Sequence, residues 1–269
     1  MTGAVNSSGL WVDCLPSDAG PDSPLVVLVH GSMDRHTSFA RIRSRLMASC
    51  DVVSYDRRGY ALSRDARPGA RGVLDHAADL EAVVDGRPCT VFGHSYGGTV
   101  TLAFAARRPD LVASAVAYEP PLAWREGWPH RGEQPPQFRD VSPEQAAENF
   151  LRRMIGDRYD RLPLKTRQEV LKDGPALVAE LTAIRLDPAP FDPGAVAVPV
   201  MVVCGSESSQ RHKEATSWLS SQLPNGTLHM VEGAGHGGHQ SHPAEVTSLI
   251  LGAVAVGRDP SAGRPPALV

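Results

Sequence analysis

The chain has 269 residues, of which 42% are hydrophobic and 21% charged, and its formal net charge is −3. These values suit one large α/β domain, and Lys and Arg form no basic block, so we expect no nucleic-acid partner. No apolar run approaches the length of a membrane-spanning helix, and residues 1–20 lack the basic start and apolar core of a signal peptide, so we expect a cytoplasmic protein without a membrane partner.

Strand-like apolar runs alternate with helical patterns along the chain. The predicted strands are residues 25–29, 51–55, 89–92, 111–118, 198–204 and 228–231. The predicted helices between and after them are residues 38–47, 73–84, 98–108 and 244–256. This alternation predicts an α/β fold with a mainly parallel central sheet and helices on both faces.

The interval from 120 to 197 interrupts this alternation. It contains no convincing strand, begins with a proline-rich connection, and has helical patterns at 144–155, 164–172 and 175–186. We interpret it as a helical cap inserted above the carboxyl ends of the strands, where open α/β folds bind ligands. The predicted organisation is a core of residues 1–119 and 198–256, a cap of residues 120–197, and a disordered tail of residues 257–269.

The segment Gly93-His94-Ser95-Tyr96-Gly97 fits the pattern G-x-S-x-G. It follows a buried strand and precedes an alanine-rich helix, which is the context in which such a serine stands exposed on a sharp turn. Glycine is needed on both sides of the serine, because the two flanking positions lie against each other in the turn. We therefore predict that Ser95 is a catalytic nucleophile.

A serine hydroxyl needs a base, and the candidate histidines come late in the chain. His236 lies in a glycine-rich loop directly after the last predicted strand, where it reaches over the carboxyl edge of the sheet. His239 is the main alternative, whereas His242 precedes a proline and suits a surface or capping role better. We predict His236 as the base.

An oxyanion hole requires two backbone N–H groups, one of them from the residue after the nucleophile. Tyr96 supplies that group. The second is expected from the loop after the first long strand, where Ser32 is the preferred donor and Met33 the alternative.

Four segments together resemble the α/β-hydrolase superfamily, and they occur in that family's order. They are His30-Gly31-Ser32-Met33, residues 56–63 (DRRGYALS), residues 93–98 (GHSYGG) and Gly233-Ala234-Gly235-His236. The resemblance covers the core without the cap and tail, and it implies a Ser-His-acid triad in the chain order serine, acid, histidine. One departure is Ala61, where the family usually has a second glycine.

The acid of that implied triad has two candidates. The family usually places an Asp three residues after a glycine that follows the penultimate strand, but this chain has Ser208 at that place and Glu207 one position earlier. The other position used in the superfamily is the end of the strand that follows the nucleophile, where this chain has Glu119. We favour Glu119 over Glu207.

The sequence thus predicts a serine hydrolase of carboxylesterase type that cleaves a small carboxylic ester or related acyl substrate through an acyl-enzyme. No cofactor and no metal are expected, and the four scattered cysteines are expected to be reduced thiols. The alternatives are non-hydrolytic, thioester or C–C bond chemistry at the same triad, and a small-molecule binding module with an idle triad. The substrate and the oligomeric state cannot be read from the sequence.

Overall fold

An eight-stranded sheet forms the centre of the computed structural model, which describes residues 3–69 and 72–259. The strands are β1 (Gly3–Val5), β2 (Trp11–Leu15), β3 (Leu25–Val29), β4 (Asp51–Tyr55), β5 (Cys89–His94), β6 (Val112–Tyr118), β7 (Val200–Gly205) and β8 (Gly226–Val231). Their spatial order is β1-β2-β4-β3-β5-β6-β7-β8. β1 and β2 pair antiparallel, and β2 lies antiparallel on β4, whereas all strands from β4 to β8 are parallel.

The central strands are apolar because helices cover both faces of the sheet. The helices are α1 (Ala40–Leu46), α2 (Val73–Val84), α3 (Tyr96–Arg107), α4 (Pro143–Ile155), α5 (Leu164–Leu171), α6 (Gly174–Leu186), α7 (Gln210–Gln222), α8 (Gly238–Ser241) and α9 (Pro243–Arg258). Alternate residues of β3 belong to different hydrophobic clusters: one cluster includes residues of α1 and α9, and the other includes residues of α2, α3 and α7. The predicted α/β fold is confirmed.

The register of β5 against β6 brings the ends of these two strands together. His94 pairs with Tyr118, the last residue of β6. The next residues along the chain, Ser95 and Glu119, therefore leave the sheet side by side at its carboxyl edge, and the N–H of Ser95 donates to the carbonyl oxygen of Tyr118 at 2.8 Å.

Helices α4 to α6 occupy the chain between β6 and β7, and a buried ion pair attaches α6 to the loop after β4. Arg57 Nη1 donates to Glu180 Oε2 at 2.8 Å, and the Tyr60 hydroxyl donates to Glu180 Oε1 at 2.5 Å. Arg57 and Tyr60 are fully buried, and Glu180 is 2% exposed. Because separating such a pair leaves an uncompensated charge in the interior, this contact holds α6 firmly at the carboxyl edge of the sheet.

Three parts of the chain differ from or extend the sequence-based prediction. The hairpin of β1 and β2 and the polar helix α7 were not predicted. Helix α9 includes Gly257 and Arg258, so these two residues are helical and the predicted tail is wrong for them; residues 260–269 lie outside the described part of the chain. No disulfide joins the four cysteines, and among the described residues no helix is long and apolar enough to cross a membrane.

Candidate active site

Ser95 stands on a strained turn between β5 and α3. Its φ and ψ are 52° and −124°, a conformation that costs a non-glycine residue free energy and is found mainly at functional positions. A Cβ atom on Gly93 would lie 2.3 Å from the carbonyl oxygen of Gly97, and one on Gly97 would lie 2.2 Å from the carbonyl oxygen of Val29. Both glycines are therefore required by close backbone approach, as the motif implies.

The loop after β8 carries His236 to the carboxylate of Glu119. The distance from His236 Nδ1 to Glu119 Oε2 is 2.6 Å, and the side chains are 19% and 0% exposed. An ionised carboxylate only accepts hydrogen bonds, so Nδ1 carries the proton of the neutral ring and Nε2 has the free lone pair. This is the tautomer that a general base needs.

The second oxygen of Glu119 is held by the turn after β7. Oε1 accepts hydrogen bonds from Gly205 N at 2.8 Å and from the Ser208 hydroxyl at 2.5 Å. Burial acts to raise the pKa of Glu119, but the hydrogen bond and charge of His236, with the donors of Ser208 and Gly205, outweigh it and lower the pKa to about 2. Glu119 is therefore an anion at neutral pH.

Of the two candidate acids, the structure brings Glu119 to His236. Glu207 is exposed on the turn after β7, with its N–H bonded to the carbonyl oxygen of Ala234. Ser208, which stands where the family usually has an acid, instead donates to Glu119. Ser208, which departs from the family pattern, thus helps to hold the carboxylate of Glu119 against His236.

His212, on the first turn of α7, is a neighbour that sequence reasoning missed. Its ring stacks on that of His236 with centroids 4.6 Å apart and planes 13° from parallel, and its Nδ1 lies 3.1 Å from Glu119 Oε2. Burial, followed by the nearby His236, lowers the pKa of His212 to about 4, so this ring is neutral at pH 7. The neutral ring covers one face of His236 without adding a competing charge.

The other two candidate bases lie elsewhere. His239 packs against His94, with ring centroids 4.0 Å apart, and its Nε2 lies 3.6 Å from a carboxylate oxygen of Asp34. His242 Nδ1 is hydrogen-bonded to the Ser241 hydroxyl at 2.8 Å. Neither ring is placed against Glu119.

His94, the residue before Ser95, fixes the backbone of the base. Its Nε2 donates to the carbonyl oxygen of His236 at 2.8 Å. Burial, followed by the neighbouring rings of His239 and His236, lowers the pKa of His94 well below its usual value, so the ring is neutral. The G-x-S-x-G motif therefore positions the base as well as the serine.

The two expected oxyanion donors lie at the start of α3 and in the loop after β3. Tyr96 is the first residue of α3, so its N–H has no acceptor within the helix. Ser32 is half-buried in the loop, and Met33 has a left-handed φ of 56°. Arg57 holds this loop in place, because its Nε donates to the carbonyl oxygen of His30 at 2.9 Å and its Nη2 to that of Gly31 at 3.1 Å.

The Asp-Arg-Arg-Gly segment is an ion-pair loop. Asp56 accepts hydrogen bonds from the backbone and ring of His36, both at 2.8 Å, and Arg58 binds Asp79. Ala61, the departure from the family pattern, has a φ of 44°, which explains why glycine is usual there.

The site therefore combines a strained serine, an imidazole held by its Nδ1, a buried carboxylate and an N–H at a helix start that has no acceptor within its helix. These are the parts required for nucleophilic attack on a carbonyl group. Among the residues that the structure describes, two groups of side chains could also hold a metal ion. They are Asp34 with His94 and His239, and Glu119 with His212 and His236.

Comparison with known proteins agrees with this architecture. The chain is 32% identical over 234 residues to a pimeloyl-[acyl-carrier protein] methyl ester esterase from Chromobacterium violaceum, covering 83% of this chain and 90% of the esterase. Among solved structures, MenH from S. aureus superposes with a TM-score of 0.74 at 16% identity, covering 92% of this chain and 99% of that one. The enol-lactonase from Burkholderia xenovorans gives a TM-score of 0.70 at 19% identity, covering 94% and 99%.

These two structural likenesses concern the fold alone. The sequence comparison is more specific, since a model of the alpha/beta hydrolase family matches residues 26–249, which is most of the chain. The protein belongs to the alpha/beta hydrolase family.

Proposed function

We propose that this protein is a serine hydrolase of carboxylesterase type that cleaves a small carboxylic ester through an acyl-enzyme on Ser95. The observation that carries the proposal is the 2.6 Å hydrogen bond between His236 Nδ1 and Glu119, which leaves the sheet next to Ser95, a serine with a φ of 52°. A histidine in this tautomer, held by a buried anion, is suited to take a proton at Nε2.

In the proposed reaction, Ser95 Oγ attacks the carbonyl carbon of the ester while its proton passes to Nε2 of His236. Negative charge develops on the carbonyl oxygen, which the N–H groups of Ser32 and Tyr96 bind. The tetrahedral intermediate collapses, the C–O bond to the alcohol breaks, and the imidazolium returns its proton to the leaving oxygen. Water then attacks the acyl-enzyme by the same route and releases the carboxylic acid.

One sequence relative supports ester chemistry. The protein from Chromobacterium violaceum is described as a methyl ester esterase, and its likeness extends over most of both chains. A serine at residue 95 also differs from the carboxylate nucleophile that forms alkyl-ester intermediates.

We further propose that residues 120–197 form a cap over the site, and that the protein works on a small molecule in the cytoplasm.

The test is the initial rate of hydrolysis on a panel of short-chain p-nitrophenyl esters, an acyl thioester and a lactone. We expect ester turnover by the wild type and a loss of about 10⁴-fold or more in kcat for Ser95→Ala. The matched control is Ser217→Ala, an exposed serine on α7, which should retain the wild-type rate.

Two outcomes count against the proposal. A Ser95→Ala variant that hydrolyses esters as fast as wild type places the chemistry elsewhere. A wild-type protein that binds the esters without turning over any member of the panel is a binding module with an idle triad.

A further inference from the structure

A group of side chains that could bind a metal ion lies next to the proposed triad and includes His94. It consists of Asp34, His94 and His239, each offering one ligand atom, and these atoms lie within 4.8 Å of one another. The three residues come from different segments: the loop after β3, the end of β5, and α8. The serine chemistry proposed above makes no use of Asp34 or His239.

The His94 ring is in a tautomer that can bind a metal ion through Nδ1. Its Nε2 must be the protonated nitrogen, because it lies 2.8 Å from the carbonyl oxygen of His236, which only accepts. Nδ1 therefore carries the lone pair, and it is buried without a hydrogen-bond partner among the described residues. A histidine that binds a metal through one nitrogen typically donates the other N–H to a backbone carbonyl or carboxylate in this way.

His239 is the most telling member of the group. It is 2% exposed, and neither of its ring nitrogens has a hydrogen-bond partner in the described part of the chain. Burying an unsatisfied polar atom is costly, so two unpaired nitrogens in one buried ring call for a ligand. Its Nε2 lies 3.6 Å from Asp34 Oδ2, which is within ion-pair distance but longer than a well-formed hydrogen bond.

Asp34 offers a carboxylate oxygen, Oδ2, as the third ligand beside the two histidines. Its Oδ1 accepts a hydrogen bond from Arg35 N at 2.9 Å, which orients the carboxylate and leaves Oδ2 facing His239. The Asp34 side chain is 21% exposed, so solvent reaches this member of the group.

We propose that Asp34, His94 and His239 bind a divalent transition-metal ion such as Zn²⁺, with water as the fourth ligand. Two imidazoles and one carboxylate suit Zn²⁺, Co²⁺ or Ni²⁺ better than Mg²⁺ or Ca²⁺, which prefer oxygen ligands. Ligand atoms around a tetrahedral Zn²⁺ stand about 3.3 Å apart, as follows from bonds of about 2.0 to 2.1 Å. The three groups, whose ligand atoms now lie within 4.8 Å of one another, would therefore close in by up to about 1.5 Å on binding the ion.

The neighbouring group of Glu119, His212 and His236 is the weaker candidate. Glu119 already accepts hydrogen bonds from His236 Nδ1 at 2.6 Å, from the N–H of Gly205 and from the Ser208 hydroxyl. A metal there would displace the proton on that Nδ1. A metal bound by Asp34, His94 and His239 would break no hydrogen bond of the two imidazoles, because the nitrogens that would bind it have no hydrogen-bond partner among the described residues.

A bound cation would join the segments that carry the oxyanion donor, the nucleophile and the base. Because it would bind the folded chain and not the dispersed ligands, it must raise thermal stability. At a free concentration about 100-fold above Kd, a domain of this size should melt about 5 to 10 °C higher.

The test uses the full chain without an affinity tag, stripped of metal and titrated with ZnCl₂ by calorimetry, with Tm recorded in parallel. We expect one Zn²⁺ per chain, an affinity at least about 100-fold weaker in His239→Ala and about 10-fold weaker in Asp34→Asn, and no melting shift in His239→Ala. His242→Ala is the matched control, a histidine three residues away and hydrogen-bonded to Ser241, and should bind as wild type does.

Three results would overturn the proposal. One is no Zn²⁺ binding by the wild type, and another is equal affinity in wild type and His239→Ala. The third is binding that survives His239→Ala but is lost in His212→Ala, which would place the ion at Glu119. If His239→Ala does not fold, the milder Asp34→Asn variant decides by the same titration. Ester hydrolysis is not a readout, so failure of the serine mechanism would leave the result interpretable.

Discussion

Replacing Glu119 by Gln keeps the shape of the side chain but leaves one acceptor oxygen where there were two. In the wild type, Oε1 binds the N–H of Gly205 and the hydroxyl of Ser208, and Oε2 binds His236. The N–H of Gly205 only donates, so the amide oxygen must stay with it. The NH₂ group then faces His236 Nδ1, which must accept, and the ring proton moves to Nε2. There it blocks removal of the Ser95 proton.

The expected loss follows from that change of tautomer. Serine enzymes whose triad acid becomes an amide lose about 10⁴-fold in kcat, and each factor of ten is about 1.4 kcal/mol of barrier. We expect Glu119→Gln to lower kcat by about 10³- to 10⁴-fold, or about 4 to 5.5 kcal/mol. KM should change much less, because the carboxylate is fully buried and faces the base.

The assay is steady-state hydrolysis of a p-nitrophenyl ester, with circular dichroism to show that the variant is folded. Glu207→Gln is the matched control, since Glu207 is an exposed glutamate on the neighbouring turn and should lose less than about twofold. A Glu119→Gln enzyme within tenfold of wild type would refute the reasoning. So would a large loss in Glu207→Gln, which would move the acid to that residue.

Three further predictions concern stability. Gly97→Ala should lower the free energy of unfolding by about 3 kcal/mol or more in urea titrations, because its Cβ would lie 2.2 Å from a carbonyl oxygen of β3. Gly252→Ala in α9 should be neutral or stabilising, because its Cβ would meet no described atom within 4 Å beyond the adjacent backbone of its own helix. Glu180→Gln leaves the buried Arg57 without its counter-charge and should cost about 3 to 5 kcal/mol, and a loss under 1 kcal/mol in the same titration would contradict this. The pKa of Glu119 is about 2 in the folded chain, against an ordinary value of 4.5. This difference stabilises the fold by about 3 kcal/mol above pH 4.5, and the stabilisation is lost as the pH falls towards 2. The stability difference between wild type and Glu119→Gln should therefore shrink between pH 6 and pH 3, and a constant difference would argue against the low pKa.

The parts of the fold that the sequence predicts well are those where burial decides the pattern. β3 is a run of five apolar residues that are all buried, and β5 is equally buried, so their apolar runs reveal both strands. The hairpin of β1 and β2 is short and partly exposed at the sheet edge, and its mixed pattern gives no comparable signal. Helix α7 is mostly polar and buries only a few residues, so apolar periodicity does not reveal it.

The site divides in the same way. Ser95 and His236 both lie in glycine-rich turns, and this makes them recognisable. Close backbone approach requires the glycines around Ser95, and Gly233, shortly before His236, has a left-handed φ of 71°. Glu119 follows a strand as an ordinary carboxylate, and only the register of β5 against β6 places it beside Ser95. His212 depends on the packing of an unpredicted helix, and no local pattern indicates that its ring stacks on the base.

The most direct test of the account is the reaction of the purified chain with a fluorophosphonate, followed by intact mass and peptide mapping. An activated serine attacks phosphorus, and fluoride leaves, giving a stable covalent adduct. We predict one adduct per chain on Ser95, absent in Ser95→Ala and retained in Ser217→Ala. A chain that stays unmodified while folded, or an adduct on another residue, would contradict the assignment of Ser95 as the nucleophile.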